Sequence, residues 1–262
     1  MKQIIKAFAK FNLLLNILPK QNNNTKHLLQ SIMCLDYMHY DEIIIEEANY
    51  FQINYYENNK LLKINNDSIT VSLIWLKQLF PDLNFNYKVS VFKHIPIASG
   101  LGGESSDSAC ILNFVLKQNN YLLTEKQKLD LALNVGSDIC FFLSQYPQAY
   151  VYEYGNKVIK LPSFKINYHL VINNIYCATK TIFNYFDSQP SIIYQDYSYE
   201  ECLKIIKEQQ WSQLSNNLLW SALNSNLDLQ LIYETLIKCY PTYHVLLNGS
   251  GSSFLLISKS KL

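Results

Sequence analysis

The chain has 262 residues, above the roughly 100–200 of a typical single domain, and its composition of 49% hydrophobic and 16% charged residues excludes a polar, disordered chain. A formal net charge of +1 with no dense lysine run excludes attraction of nucleic acid or anionic membrane by an overall field. All 22 basic side chains are lysine, so guanidinium clamps are unavailable and any phosphate site must use backbone N–H groups, hydroxyls and lysine.

From Ile4 to Leu18, apolar runs interrupted by Lys10 and Asn12 predict a strand that turns through an asparagine-rich loop at Pro19 to Thr25. Leu28 to Leu35 reads as a second strand, and Asp41 to Glu47 and Gln52 to Tyr56 as further separate ones, rich in Ile and aromatics. Ile69, Leu73, Ile74 and Leu76 recur at helical spacing between Ser68 and Phe80, and Pro81 stops them. Tyr87, Val89 and Val91 alternate with Lys88, Ser90 and Phe92 as a strand. A turn rich in Gly and Ser follows. Beyond it Ala109, Leu112, Val115 and Leu116 mark a helix with Ser105, Ser106 and Asp107 as expected caps in its first turn. Thr124 to Gln127 forms a capping box for the next helix, which closes at Gly136.

From Leu161 onward, a strand at His169 to Ile172, helical stretches at Lys180 to Phe186 and Tyr199 to Leu219, and a strand pair around Asn248 to Gly251 predict a second α+β unit. The expected domains are therefore 1–160 and 161–262. Six scattered cysteines, with no Cys-x-x-Cys pair, read as structural thiols, and His39, His94, His169 and His244 as structural residues without partners. The amino terminus lacks a long apolar core with a cleavage site, and no run of about 18 apolar residues occurs; a reducing cytosol is the expected compartment.

Three features carry chemistry. The turn Pro96-Ile97-Ala98-Ser99-Gly100-Leu101-Gly102-Gly103-Glu104-Ser105-Ser106-Asp107 sits between strand and helix, where glycines admit close approach of an anion and the helix start offers unpaired N–H groups. It has no lysine where the Walker pattern needs one, and Ser105 stands where the dinucleotide fingerprint needs its third glycine. The plainer alternative is a serine-capped structural turn. Lys10 and Asn12 share one face of the first strand, either to reach a common site or to form the solvated face of an edge strand. Asp138, in Gly136-Ser137-Asp138, either caps the helix that follows or accepts a proton from a substrate hydroxyl.

Together with the late Gly249-Ser250-Gly251, the Ala9-Lys10-Phe11-Asn12-Leu13 segment, the Pro96 to Asp107 turn and Gly136-Ser137-Asp138 follow the order and rough spacing of the GHMP small-molecule kinases, which the chain resembles over nearly its whole length. Within them it is most similar to kinases of the 2-hydroxyl of a cytidine diphosphate conjugate of methylerythritol, in the non-mevalonate isoprenoid pathway. The resemblance implies a two-domain α+β fold: an amino-terminal domain like ribosomal protein S5 domain 2, a ferredoxin-like second domain, and an active site between them. It implies Asp138 as base, Lys10 as its partner, and Asn12 beside the substrate. ATP, arriving with Mg²⁺, is expected on Lys93, Pro96, Gly100, Leu101, Gly102, Gly103, Ser105 and Ser106. The cytidine conjugate is expected on His27, Thr179 and Phe183, with Gly249, Ser250 and Gly251 closing the site. The family usually has Gly-Tyr-His where this chain has Thr25-Lys26-His27. It has a third consecutive glycine where Glu104 stands, and Glu104 is expected to face solvent. The family also continues further past the Gly-Ser-Gly strand, so a shortened second domain is expected. A different alcohol acceptor within the family, of homoserine or mevalonate type, and an inactive nucleotide-binding relative are the competing readings.

Overall fold

The structure, a computed structural model, describes residues 2–20, 26–189, 192 and 194–260. The asparagine-rich loop over residues 21–25, with the Thr25 position, lies outside the described residues.

Strands β1 (Lys2–Lys20), β2 (His27–Glu47), β3 (Gln52–Glu57), β4 (Lys60–Leu62), β5 (Tyr87–Lys93), β6 (Gln148–Glu153) and β7 (Lys157–Lys160) form one sheet in the order β4-β3-β5-β2-β6-β7, with β1 paired to β2. Among the described strands of this sheet, only β3 and β5 run parallel. The two strands expected at Leu28 to Leu35 and Asp41 to Glu47 are one strand, β2. Its first half, Leu29 to Cys34, pairs with β6 and its second, Glu42 to Glu47, with β5, while β1 follows it nearly throughout. Between the halves the β1–β2 register shifts at Phe8/Ala9, a bulge that separates the partner sets.

Helices α1 (Ser68–Leu79), α2 (Gly103–Gln118), α3 (Glu125–Asn134) and α4 (Ile139–Ser144) belong to the same unit. Asp67 caps α1 by accepting from the Thr70 N–H, and Thr124 and Gln127 complete the expected box on α3. Helix α2 packs on β1 and against α1 and α4. It buries Ile111, Leu112, Val115 and Leu116, each worth about 1.5–3 kcal/mol of apolar burial. Its N-cap is Gly102, with no side-chain cap bond, so Ser105, Ser106 and Asp107 do not cap it.

Strands β8 (Tyr168–Val171), β9 (Tyr243–Leu247) and β10 (Phe254–Ser258) form a second, antiparallel sheet in the order β8-β10-β9. Helix α5 spans Thr179–Asp187. The single helical stretch expected over Tyr199 to Leu219 is instead α6 (Tyr199–Lys207), a 3₁₀ turn at Trp211–Gln213 and α7 (Leu219–Ser225). Trp211 and Leu214 turn into the apolar core there, and burying them takes precedence over helical continuity. Helix α8 (Leu227–Cys239) completes the unit. The two units meet along β1, where Leu15 bridges Asn216 and the Asn12 N–H donates to Asn248 Oδ1 at 2.8 Å. His39 is not partnerless: its Nδ1 lies 2.5 Å from the buried Asp36 carboxylate.

Candidate active site

A cavity of about 880 Å³ opens where the carboxy-terminal loop of β9–β10 meets β1, the turn after β5 and the start of α4. Its size suits a pair of small-molecule ligands. Lys10 and Asn12 both line it, on the shared face that strand periodicity requires. The solvated edge-strand alternative fails, because each is only 2% exposed. Lys10 Nζ donates to Asn12 Oδ1 at 2.5 Å, and Asn12 Nδ2 donates to Ser31 Oγ at 2.8 Å, so the ammonium is aimed by an amide that is itself held.

The glycine-rich turn wraps over Lys10, whose backbone N–H donates to the Leu101 carbonyl at 2.9 Å. Gly100 has φ +78°, and a Cβ there would stand 2.0 Å from the Asn248 carbonyl oxygen, so conformation and space both demand glycine. Asn248, fully buried, donates through Nδ2 to the Gly100 carbonyl at 3.2 Å. Pro96, Gly100, Gly102, Gly103 and Ser105 line the cavity. Two expected members do not. Leu101 is fully buried in a small apolar cluster, and Ser106 is turned to β1, donating its hydroxyl to the Phe8 carbonyl at 2.7 Å. Glu104 is exposed and stands at the cavity rim.

Lys93 also lines the cavity, but its ammonium is committed to Asp41 and, at 2.7 Å, to Asp107 Oδ2. It is therefore not free to meet a phosphate. Burial would lower the Lys93 ammonium, yet Asp107 and Asp41 together hold it above its usual value.

Asp138 precedes α4 in the N-cap position but makes no side-chain cap bond, so the purely capping alternative fails. Its carboxylate instead faces the cavity, with Oδ2 3.4 Å from Lys10 Nζ. The β6–β7 turn braces this segment: Gly155, at φ +90°, lies so close that a Cβ would be 2.1 Å from the Ser137 carbonyl oxygen.

At the other end of the cavity, His27 and Phe183 rings lie 5.6 Å apart, centroid to centroid. His27 Nδ1 is 2.8 Å from the Leu18 carbonyl and Nε2 is 2.7 Å from Asp187 Oδ1, while Lys20 holds Asp187 Oδ2 at 2.6 Å. Burial works against ionisation of Asp187, but Lys20 and His27 hold its carboxyl below the usual range. Lys26 lines the cavity with its Nζ donating to the Ala132 carbonyl at 2.9 Å, and burial lowers its ammonium. Thr179 Oγ1 and Ser250 Oγ lie 3.0 Å apart, tying α5 to the loop that carries Gly249 and Ser250, both cavity residues. Gly251 is not among them; it packs against Leu247 and Cys177 behind the loop.

Reasoning from sequence missed Asn248, Asp187 and Asp41 as members of this neighbourhood, and read Asp107, the last residue of the turn motif, as a cap and not as a partner of Lys93. Asn248 carried a signal, since it opens Asn-Gly-Ser-Gly; Asp187 and Asp41 carried none, because their partners come from other elements. Among the described residues no group of three or more His, Cys, Asp or Glu is arranged to hold a metal ion. No helix there is long and apolar enough to cross a membrane.

Residues 70–146 match the model of the GHMP kinases N terminal domain. A protein of Ureaplasma parvum serovar 3 named 4-diphosphocytidyl-2-C-methyl-D-erythritol kinase is 30% identical over 256 residues, 97% of this chain and 94% of the relative. A protein of the same name from Helicobacter pylori is 26% identical over 275 residues, covering 100% of this chain and 96% of its own length. In fold, the chain is similar to a crystal structure of 4-(cytidine 5'-diphospho)-2C-methyl-D-erythritol kinase, with TM-score 0.72 and 18% identity, covering 98% of this chain and 91% of that one. It is also similar to the phosphomevalonate kinase of Streptococcus pneumoniae, with TM-score 0.67 and 10% identity over 99% and 92%.

Proposed function

Since the chain belongs to the family of 4-diphosphocytidyl-2-C-methyl-D-erythritol kinases among the GHMP kinases, we propose that it transfers the γ-phosphate of ATP to the 2-hydroxyl of that cytidine diphosphate conjugate, in non-mevalonate isoprenoid synthesis. The observation that carries the reading is the Lys10–Asp138 pair, placed in one cavity with the glycine-rich turn.

The triphosphate lies on the turn from Gly100 to Ser105, where backbone N–H groups at the start of α2 face the anion. Gly100 and Gly102, both at positive φ, support this reading by letting the turn close tightly onto Asn248 and onto Lys10 and Phe142 while its backbone lines the cavity. Magnesium would arrive with the nucleotide as part of the substrate and would supply charge neutralisation on the phosphates. The acceptor hydroxyl sits between Lys10 and Asp138. Asp138 takes its proton as the oxygen forms a bond to the γ-phosphorus and the bond to the bridging oxygen of ADP breaks. Lys10, desolvated and aimed by Asn12, orients the hydroxyl toward Asp138. Transfer is direct, in line, with no phosphoenzyme, since positioning and charge stabilisation suffice.

The cytosine end lies on Phe183 and His27, with Thr179, Ser250 and Gly249 closing the site from the second unit. The division near residue 160 is part of this reading: β7 ends the first sheet at Lys160 and the second begins at Tyr168.

Purified protein incubated with ATP and 4-diphosphocytidyl-2-C-methyl-D-erythritol is expected to yield a product heavier by one phosphate in mass spectrometry. Phosphate appearing instead on homoserine or mevalonate, or on no alcohol, overturns the proposal.

A further inference from the structure

Beneath the phosphate turn lies a buried group of three charges that the transfer step does not use. Asp41 of β2, Lys93 of β5 and Asp107 of α2 are 0%, 4% and 1% exposed. Asp41 Oδ1 accepts from the backbone N–H of Ile95 at 2.8 Å and from that of His94, the first residues after β5. Lys93 donates to Asp41 Oδ2 and to Asp107 Oδ2, on the second turn of α2. The chain runs into the phosphate turn at His94 and out of it along α2, so these side chains tie both ends of the turn together and to the sheet.

Two carboxylates and one ammonium leave a surplus negative charge in a place without solvent. Asp107 Oδ1 is moreover buried with no hydrogen-bond partner. An ionised oxygen in that position is costly, and a proton on it removes the surplus. The other titratable groups facing Asp107 bring no second cation: Cys110 on its own helix and Tyr55 of β3, whose phenol also feels Asp67 and Glu104.

We infer that Asp41, Lys93 and Asp107 are the positioning unit of the phosphate turn, and that Asp107 takes up a proton from solvent when the triphosphate binds. A triphosphate adds negative charge over the turn, which disfavours an ionised carboxylate beneath it. No bond of the nucleotide changes; the proton goes to Asp107 Oδ1. The carboxyl is poised for this, because burial raises it and Asp41 adds to the rise against the pull of Lys93, to about 7. The inference rests on the assignment of the turn to ATP.

The test is calorimetry of a non-hydrolysable MgATP analogue at pH 7.5, in two buffers of different ionisation enthalpy, with wild type and Asp107→Asn. Wild type is expected to take up roughly 0.3–0.7 proton per nucleotide more than the variant. Equal proton uptake in both, with nucleotide bound, overturns the proton step. Asp107→Ala, which unties the turn, is expected to raise KM for ATP about tenfold while kcat moves less, and Asp107→Asn, which keeps an oxygen for Lys93, to stay within about threefold at pH 7. An unchanged KM in Asp107→Ala overturns the positioning role. Should either variant fail to fold, wild type decides: no proton uptake beyond that of the nucleotide itself overturns the inference. A wild-type protein that binds no nucleotide at all instead refutes the assignment of the turn.

Discussion

Lys10 Nζ lies 3.4 Å from Asp138 Oδ2 and 2.5 Å from Asn12 Oδ1, one ammonium shared by a carboxylate at the cavity surface and an amide within the wall. The pair leaves Asp138 27% exposed toward the cavity and Lys10 almost wholly desolvated behind it.

Asp138→Asn removes the proposed proton acceptor and keeps the shape. It is expected to lower kcat by about 10²–10⁴-fold, the usual share of general base catalysis, with the Kd for MgATP within about twofold of wild type. Near-normal turnover in single-turnover kinetics would exclude Asp138 as the base.

Gly100→Ala places a Cβ against the Asn248 carbonyl at a left-handed backbone position. The strain is about 1–3 kcal/mol. We expect the melting temperature to fall by roughly 2–10 °C and KM for ATP to rise more than that for the alcohol. Differential scanning calorimetry and initial-rate kinetics check both, and a variant as stable and active as wild type would mean the turn and the Asn248 loop are not in contact.

Phe183→Ala truncates the aromatic wall beside His27. KM for the cytidine conjugate is expected to rise about 10-fold, in line with a stacking contribution of ~1–1.5 kcal/mol, and KM for ATP to stay unchanged. Equal effects on the two substrates would place the ring elsewhere in the reaction.

Asp107 also has a signature in stability. Burial raises its carboxyl from the ordinary 3.8 to about 7 on folding, so between those pH values the folded state holds a proton that the unfolded state has lost. By linkage, this group's contribution to stability is greatest below the unfolded value and declines as pH climbs to about 7, then levels off. Melting temperatures of wild type and Asp107→Asn across pH 5–8 are expected to diverge in slope below pH 7 and run parallel above it. Parallel curves throughout would show that Asp107 does not titrate there.

Much of this was legible from residue order. The capping box of α3, the helical spacing of α1 and the β5-turn-α2 handover are local, and each formed where its residues indicated. The shared face of Lys10 and Asn12 followed from strand period alone. What sequence did not yield was long-range. Nothing near Leu28 or Asp41 shows that one strand carries both, because β2 is unified by pairing to β1 across a bulge. Nothing beside Lys93 shows that its charge is taken, since Asp41 comes from a different strand. Ser106 illustrates the same limit within the turn: one residue past Ser105, the helix rotates its hydroxyl onto Phe8.

Asn248 bonds at once to Asn12 of β1 and to Gly100 of the glycine-rich turn, and it is buried without remainder. Swinging the second sheet away from the first would strip that amide of its partners inside the protein, at the cost of leaving buried polar groups unmet. Ligand exchange that keeps those bonds intact therefore runs through the cavity mouth while the hub at Asn248 stays shut. On this view one amide latches the two halves together, and its removal, in Asn248→Ala, would loosen both at once.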